Sequence, residues 1–467
     1  MSSSAEESIV RPSLRSFVTL SRDFALGTQT PSSFLEQCLQ NIEAYESRVK
    51  AFVVFDKHRA RARASEASQR WAKGEQLSSI DGMPVGIKDI IETVDMPTGM
   101  GSPLFTGAYS GRDSASVKAL RSAGAIIVGK TVTTEFASTV PGPTRNPWDI
   151  ERTPGGSSSG SAAAVAAGML TAALGTQVVG SIIRPASFCG CVGFKPSIGA
   201  INRGGSHDFM SQSCQGALAA SLADVWFVLS EIAVRAGGDP GHCGLIGPMD
   251  LPDERRPSTI AVLETPGWSE VSAGAREMLA ESCYLIEKSG IKIIRRRDCL
   301  DVEQIEECIA SAAVQTRKIN AWESRWPLNI YRDLDSSKVS TSMLIKLEEA
   351  EAMSITQYRS ALASRDAARV AYGKLKQQAD LAITLSASGA APQGMSTGNT
   401  AFSVPASYLG VPALSLPLFW DEQMPLGLQL MGFQDQDANL FGHAQHVLSS
   451  VFKRPELIGR VISDKSI

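Results

Sequence analysis

The chain has little histidine for its length, since only five of its 467 residues, His58, His207, His242, His443 and His446, are histidine. None of them stands beside a glycine-rich turn or at the end of an apolar run that would aim its ring at a serine. Histidine is the base most often used to activate a serine nucleophile. A Ser-His catalytic arrangement therefore has little support in this sequence.

Cysteine pairs at the spacing of a metal site are also missing. The eight cysteines are scattered, and Cys189 and Cys191, with one residue between them, are too close for an ordinary zinc pair. The cysteines therefore indicate no metal site. Free thiols in a chain whose first residues lack an apolar leader favour the cytoplasm as its compartment.

Neither sign of charge dominates, because 45 basic residues stand against 48 acidic ones, for a formal net charge of −3. This balance gives no electrostatic preference for nucleic acid or for an anionic membrane surface. The nearest approach to a membrane span is the uncharged stretch from Ser161 to Ile183, which is mostly alanine and glycine. It predicts a buried helix of small residues that leads into a buried loop.

The most informative feature is a pair of glycine-rich turns that carry serine, around Ser157 and Ser181. Glycine lets the backbone approach a neighbour closely and adopt unusual dihedral angles, so N–H groups and a hydroxyl can face one small volume. Such N–H groups stabilise the charge that develops on a carbonyl oxygen under attack. The two turns predict a catalytic serine, which still needs a base.

Lys88 is the candidate base. It lies in the segment from Met83 to Ile91, which predicts a buried strand with a single basic residue. Burial lowers the pKa of a lysine, so that a neutral amine can accept a proton near neutral pH. The alternative is a surface lysine at a strand end that pairs with Asp89 or Glu92. The segment alone leaves both interpretations open.

Three blocks, in this order, resemble the amidase signature family: PVGIKD around Lys88, TPGGSSSGSAAAVAAG around Ser157, and GTQVVGSIIRPASFCGCVGFKPS around Ser181. Similar segments flank these blocks, so the resemblance covers most of the chain. In this family a Ser-cisSer-Lys triad hydrolyses amides. The resemblance implies that Ser181 is the nucleophile, that Ser157 bridges after a cis peptide bond, that Lys88 is the base, and that an acyl-enzyme forms.

The resemblance also assigns the oxyanion hole to the backbone N–H groups of Val178, Val179, Gly180 and Ser181. The family commonly has two glycines before the nucleophile, whereas this chain has Val179 and Gly180. A β-branched residue does not readily take a positive φ. Either position 179 needs only ordinary dihedral angles, or the hole is distorted. A valine there would also narrow the wall beside the acyl group.

Arg184 is similar to an arginine that holds a substrate carboxylate in malonamidase-like members of the family, and a planar guanidinium suits that role. The alternative for Arg184 is a structural ion pair beneath the active-site loop. Ser158 and Ser159 are expected to satisfy backbone groups of their turn rather than to take part in catalysis.

Two other motifs point to different enzymes and are rejected on their context. Gly124 to Thr131 matches a phosphate-binding loop, but its intervening residues predict an apolar strand instead of a flexible loop. Gly156 to Gly160 matches the nucleophile elbow of α/β-hydrolases with Ser158 as nucleophile. The residues before this elbow predict a loop, so a histidine-dependent esterase that uses His443 or His446 stays an unsupported alternative.

The resemblance implies a single amidase signature domain over residues 1–467, with a mixed central β-sheet covered by helices on both faces (α/β/α). Residues 1–75 are expected to form an N-terminal helical region and residues 76–235 the signature core. Residues 236–378 are expected to form a variable, largely helical region that lines the substrate funnel. Residues 379–467 return to the sheet.

The expected function is cofactor-free hydrolysis of a C–N amide-type bond in a small molecule. Ureides such as biuret, carbamates and esters present the same carbonyl to the same triad and are alternatives. One component of a glutamine-dependent amidotransferase and a non-catalytic binding relative are further alternatives. The expected partner is a small molecule rather than nucleic acid or a membrane, and a homodimer is one expected assembly.

Overall fold

A computed structural model describes residues 12–459. In this range one mixed sheet is formed by eleven strands: β1 (Phe52–Phe55), β2 (Pro84–Lys88), β3 (Ile126–Thr131), β4 (Ala172–Gln177), β5 (Val192–Lys195), β6 (Cys214–Ala219), β7 (Thr259–Val262), β8 (Lys292–Ile294), β9 (Leu381–Leu385), β10 (Ala413–Asp421) and β11 (Met424–Met431). The strand order is β1-β3-β2-β4-β6-β5-β10-β11-β9-β7-β8. β2 is parallel to β3 and β4, β7 is parallel to β8 and β9, and the other neighbours are antiparallel.

The same part of the chain contains fourteen α-helices: α1 (Ser21–Leu26), α2 (Pro31–Val49), α3 (Lys57–Lys73), α4 (Ala115–Ser122), α5 (Ser159–Ala166), α6 (Ile183–Cys189), α7 (Leu222–Ala236), α8 (Ala273–Lys288), α9 (Leu300–Ile309), α10 (Ala312–Asp335), α11 (Thr341–Ala352), α12 (Ile355–Leu375), α13 (Val404–Leu409) and α14 (Asp437–His446). None of the helices within residues 12–459 has the combination of length and apolar character that crossing a membrane requires.

Alternate residues of β3 show that helices cover both faces of the sheet. Ile127 packs in one apolar cluster with Val117 of α4 and Trp226 of α7. Ile126 and Val128 point to the opposite face, because side chains alternate along a strand. They pack in a second cluster with residues of α2 and α5. The predicted α/β/α arrangement is therefore confirmed.

The stretch from Ser161 to Ile183 begins in a buried helix of small residues, as predicted, but the prediction that a loop follows this helix was wrong because a strand follows it. Helix α5 ends at Ala166, and Gly168 follows with a φ of +64°, a left-handed conformation that glycine adopts without strain. The chain then forms β4 between β2 and β6 in the interior of the sheet. A run of small residues carries no hydrophobic periodicity, so the sequence could not distinguish a buried helix from a buried strand.

Two predicted helical regions also contribute strands. In the N-terminal region of residues 1–75, β1 pairs with β3 at one edge of the sheet, and residues 1–11 lie outside the described part of the chain. The region of residues 236–378 contains five helices and also the neighbouring strands β7 and β8. Residues 379–467 return to the sheet with β9, β10 and β11, and residues 460–467 lie outside the described part.

Candidate active site

The register of two parallel strands brings Lys88 next to Thr176. Ile87 of β2 pairs with Leu174 of β4, so Lys88 at the end of β2 lies opposite Gly175 and within reach of Thr176, the next residue of β4. The Lys88 Nζ atom lies 2.8 Å from Thr176 Oγ1 and 2.7 Å from Ser157 Oγ. The carboxyl ends of adjacent parallel strands are a usual place for a catalytic group in α/β proteins.

The Lys88 side chain is fully buried, with 0% of its surface exposed. Within residues 12–459 no carboxylate lies within 4 Å of its Nζ atom, so the surface lysine paired with Asp89 or Glu92 is not what the structure shows. Burial lowers the pKa of Lys88 to about 7, and the negative charge of Asp208 opposes this by favouring the ammonium form. An amine with that pKa is substantially neutral at physiological pH.

Ser157 lies in the turn that precedes α5, and the peptide bond between Gly156 and Ser157 is cis. Its hydroxyl contacts Lys88, while its carbonyl accepts a hydrogen bond of 3.3 Å from the Thr134 amide. The hydroxyl of Ser158 instead donates to the Thr176 carbonyl. Of these two adjacent serines, therefore, only Ser157 places its hydroxyl on the lysine.

Ser159 donates its hydroxyl to the carbonyl of Val132, at the start of α5. Together with the bond from Ser158 to Thr176, this agrees with the prediction that Ser158 and Ser159 satisfy backbone groups of the turn.

The Ser181 turn lies directly against the Ser157 turn. The amide of Ser158 donates to the Ser181 carbonyl at 3.3 Å. Gln177, the last residue of β4, holds the other side of the turn, because its Oε1 accepts hydrogen bonds from the amides of Ile182 and Ile183 at 2.8 and 3.0 Å. Ser181 lines a cavity of about 640 Å³. The fold thus brings all three predicted triad residues to one place.

Val178, Val179 and Ser181 line this cavity, and among the residues that the structure describes none accepts a hydrogen bond from the backbone N–H groups of residues 178–181. Two of the carbonyl groups are held on other partners. Gln212 Nε2 donates to the Val178 carbonyl at 2.9 Å, and the Ser407 hydroxyl donates to the Val179 carbonyl at 3.0 Å. The carbonyls are thus held by other partners while the N–H groups are free, and free N–H groups beside a nucleophile are what an oxyanion hole needs.

Val179 adopts no positive φ, so this position needs only ordinary dihedral angles. Gly180 is required for a different reason. A Cβ atom at position 180 would lie 2.1 Å from Ser403 Oγ and 2.8 Å from Arg184 Nη1, which leaves no room for a side chain. The Val179 side chain lines the cavity beside Ser181, as a residue that narrows the wall for the acyl group would.

Arg184 lies in the first turn of α6, and only 3% of its surface is exposed. Its Nη2 donates to the Gly156 carbonyl at 2.6 Å, and its Nε donates to the Thr397 carbonyl. Within the described residues it forms no ion pair, and Nη1 has no hydrogen-bond partner. Burial without a countercharge lowers the pKa of Arg184 to about 9. The structure therefore shows no ion pair beneath the loop, and Arg184 lines the cavity.

Five segments form most of the walls of the cavity, namely residues 137–139, the turn 178–181, helices α10 and α11, and residues 397–404, and Arg184 and Met210 complete them. A volume of about 640 Å³ is within the range of small-molecule sites. The two helices belong to the region that was expected to line the substrate funnel. Within residues 12–459 no cluster of three or more histidine, cysteine or acidic side chains is arranged to hold a metal ion.

The structure around the apparent phosphate-binding loop and around His443 and His446 does not fit a nucleotide-binding enzyme or a histidine-dependent esterase. Ile126–Thr131, within the apparent phosphate-binding loop, is strand β3, and Lys130 forms an ion pair with Asp89 at 3.1 Å. His443 contacts the carbonyl of Arg255 through Nδ1, and His446 contacts Glu254. Neither histidine lines the cavity of Ser181.

Thr176 is the contact residue that the sequence analysis missed. It supplies both a hydroxyl and a carbonyl oxygen, at 2.8 and 3.5 Å, to the Lys88 Nζ atom. Its position, in the GTQ triplet just before the second glycine turn, could have drawn attention to it. Its role depends on the parallel pairing of β2 with β4, which the interpretation of this stretch as a helix concealed.

Comparison with known proteins agrees with this geometry. Residues 33–441 match the amidase family. Over 233 residues the chain is 43% identical to a glutamyl-tRNA(Gln) amidotransferase subunit from Anaeromyxobacter sp. (strain K), and this match covers 48% of the chain. It spans 45% of that relative, so the chain matches less than half of its length.

Two solved structures are similar over nearly their whole length. A crystal structure described as an amidase has a TM-score of 0.79 and 26% identity, and the match covers 92% of this chain and 98% of that one. The corresponding glutamyl-tRNA(Gln) amidotransferase subunit from Thermotoga maritima has a TM-score of 0.71 and 26% identity, with 90% and 92% covered. The chain therefore belongs to the amidase family.

Proposed function

We propose that this protein hydrolyses an amide of a small molecule through Ser181, Ser157 and Lys88, with no cofactor. The observation that carries the proposal is the environment of Lys88, a buried amine that contacts two hydroxyl groups and no carboxylate within the described residues. A buried lysine without a countercharge favours its neutral form, which is the form that can act as a base.

The partners of Lys88 also favour one direction for the proton. A neutral amine has two N–H bonds and one lone pair. When the N–H bonds point to the hydroxyl and carbonyl oxygens of Thr176, the lone pair faces Ser157 Oγ at 2.7 Å. Ser157 can then give its proton to Lys88 and accept the proton of Ser181, because a hydroxyl both donates and accepts.

The reaction follows from this relay. Ser181 Oγ attacks the amide carbon while its proton passes through Ser157 to Lys88, and the carbonyl oxygen becomes an anion that the N–H groups of residues 178–181 stabilise. Collapse of the intermediate breaks the C–N bond, and Lys88 returns the proton through Ser157 to the leaving amine. Water then attacks the acyl-enzyme by the same route, which releases the acid and restores Ser181.

The first experiment tests the nucleophile. Folded protein is incubated with a fluorophosphonate, its intact mass is measured, and the labelled peptide is mapped. We expect one adduct per chain, on Ser181, and none in the Ser181→Ala variant. An adduct on Ser158 would instead support the nucleophile-elbow alternative, and no adduct in folded protein would favour a non-catalytic binding relative.

The same protein is then offered amides, ureides, carbamates and esters, all of which can acylate the same serine. We expect the amides to be turned over. Val179→Gly tests whether the side chain at position 179 restricts the acyl group, since the variant should accept bulkier acyl groups than the wild type. An unchanged substrate range would remove that role from Val179.

A second candidate function is that of one component of an amidotransferase, which is favoured by the names of the related sequence from Anaeromyxobacter and the related structure from Thermotoga maritima. This function predicts release of glutamate from glutamine and a stable complex with other subunits. Turnover of simple amides by the isolated chain, without glutamine hydrolysis, would favour the first candidate. The cytoplasm and a homodimer stay predictions, and size measurement in solution tests the latter.

A further inference from the structure

The cavity around Ser181 carries more positive than negative charge. Three of its lining side chains are cationic, namely Arg184, Arg317 and Lys346, and among the described lining residues Glu349 alone is acidic. Arg317 and Glu349 form an ion pair with each other, and both are exposed. The cavity itself therefore leaves Arg184 and Lys346 without a countercharge.

The Lys346 ammonium has fewer hydrogen-bond partners than the Arg184 guanidinium. The Arg184 guanidinium donates to two backbone carbonyls, whereas in the described part of the chain Lys346 has no hydrogen-bond acceptor and no carboxylate within 4 Å. The charge that acts on Lys346 is that of Glu349, one turn along α11, which is already paired with Arg317. Burial lowers the pKa of Lys346 to about 8, and the ammonium form of this half-buried side chain would gain from an anion in contact with it.

Lys346 lies where two cavities meet. It lines both the cavity of Ser181 and a second cavity of about 40 Å³, together with Ser138, Met210 and Met343. These neighbours provide a hydroxyl and two apolar side chains but no further cation. One ammonium and one hydroxyl suit a carboxylate, whereas a phosphate dianion normally needs more donors.

On the basis of the proposed amide hydrolysis, we propose that Lys346 determines specificity by binding a carboxylate of the substrate that is separated from the scissile amide by an apolar chain. The wall of the cavity that holds both Ser181 and Lys346 includes the apolar side chains of Met210, Met343 and Val404, which can pack against such a chain. The substrate class is therefore an amide of a dicarboxylic acid with one carboxylate free.

The turnover experiment uses matched pairs of p-nitroanilides. Glutaric, adipic and suberic acid mono-p-nitroanilides, each with a free carboxylate, are compared with the p-nitroanilides of pentanoic, hexanoic and octanoic acid. At the preferred chain length the wild type should favour the carboxylate-bearing member about tenfold or more in kcat/KM, the effect of one charge-assisted contact. Equal values for every pair would overturn the proposal.

Variants of Lys346 show whether this residue is responsible. Lys346→Met should remove the preference through an increase in KM for the charged substrates that is much larger than any change in KM for the uncharged ones. Lys346→Arg should keep most of the preference, and Lys346→Glu should reverse it toward the p-nitroanilide of 6-aminohexanoic acid. Lys374→Met is the matched control, because Lys374 is exposed on α12 and lines neither cavity. A preference that survives in Lys346→Met would overturn the assignment.

Binding separates this proposal from the proposed hydrolysis. Calorimetry with the Ser181→Ala protein should show tighter binding of the mono-anilides than of their uncharged partners, and Lys346→Met in the same background should remove the difference. If the charged anilides bind more tightly but the wild type turns over no anilide, the proposed hydrolysis is contradicted and the role of Lys346 is not. Turnover of uncharged anilides with no charge preference would contradict the role of Lys346 alone, and no binding of any carboxylate-bearing probe would also overturn it.

Discussion

Two buried lysines at the ends of neighbouring strands have opposite surroundings. Lys88 at the end of β2 and Lys130 near the end of β3 are both 0% exposed. Lys130 Nζ lies 3.1 Å from Asp89 and also bonds Thr98 and the Pro97 carbonyl. Lys88 contacts the hydroxyl groups of Ser157 and Thr176. Of the two lysines, Lys130, which lies in the apparent phosphate-binding motif, is therefore the one that has a carboxylate partner.

This difference explains what each lysine can do. A buried ammonium that is paired with a carboxylate stabilises the fold only as long as both partners are present. A buried amine among hydroxyl groups loses its proton more easily and can act as a base. Burial alone therefore does not identify a catalytic lysine in this chain, whereas the kind of partner does.

The largest effect on activity is expected from Lys88→Met. The variant keeps the volume of the side chain but removes the base, so kcat for an amide should fall by about 10³-fold, within the range of general-base catalysis. Denaturation curves should show little loss of stability, because an apolar side chain replaces a buried neutral amine. Wild-type activity in a folded Lys88→Met protein would contradict the proton route.

Lys130→Met should reduce the stability of the protein and leave its activity nearly unchanged, the opposite of Lys88→Met. It leaves Asp89 without its buried partner, so the free energy of unfolding should fall by about 3–5 kcal/mol, while kcat of the folded protein changes little. Urea denaturation measures this loss. The double variant Lys130→Met/Asp89→Asn should recover part of the lost free energy of unfolding. If kcat of Lys130→Met fell as far as kcat of Lys88→Met, the two lysines would not differ in function.

The pH dependence of the wild type should show the titration of Lys88. Burial lowers the pKa of Lys88 from its usual 10.5 to about 7, so the amine is neutral above that pH and protonated below it. Because the neutral form is the base, kcat/KM should fall about tenfold per pH unit below about 7. The profile is measured with a substrate that does not itself titrate between pH 5 and 9. A flat profile over this range would exclude Lys88 as the group that limits the rate.

The smallest effect is expected from Thr176→Val, which keeps the shape of the side chain and removes one acceptor of Lys88. We expect kcat to fall by about tenfold or less, because the amine is held less firmly. The pKa of Lys88 should fall further, since a hydroxyl acceptor favours the ammonium form. The acid limb of kcat/KM should therefore move to lower pH, and a shift to higher pH would contradict the assigned contact.

Several parts of the fold follow from local sequence patterns. Strand β9 (Leu381–Leu385) is an almost wholly apolar run, and helices α4 and α7 begin directly after Ser114 and Ser221. The side chains of Ser114 and Ser221 accept hydrogen bonds from amides in the first turn of these helices, a local signal that sequence carries. Strand β4 was missed because a run of alanine and glycine lacks that kind of signal.

The order of the residues alone determined the two serine turns and a lysine in an apolar segment, because glycine and burial preferences are properties of short stretches of chain. The role of that lysine was decided by the tertiary structure. The pairing of β2 with β4 brings the end of β4, and with it Thr176, within reach of Lys88, and the pairing of β2 with β3 brings Lys130 to Asp89. Partners that are distant in sequence set the pKa of a buried group, so only the folded chain distinguishes the candidate base from the structural lysine.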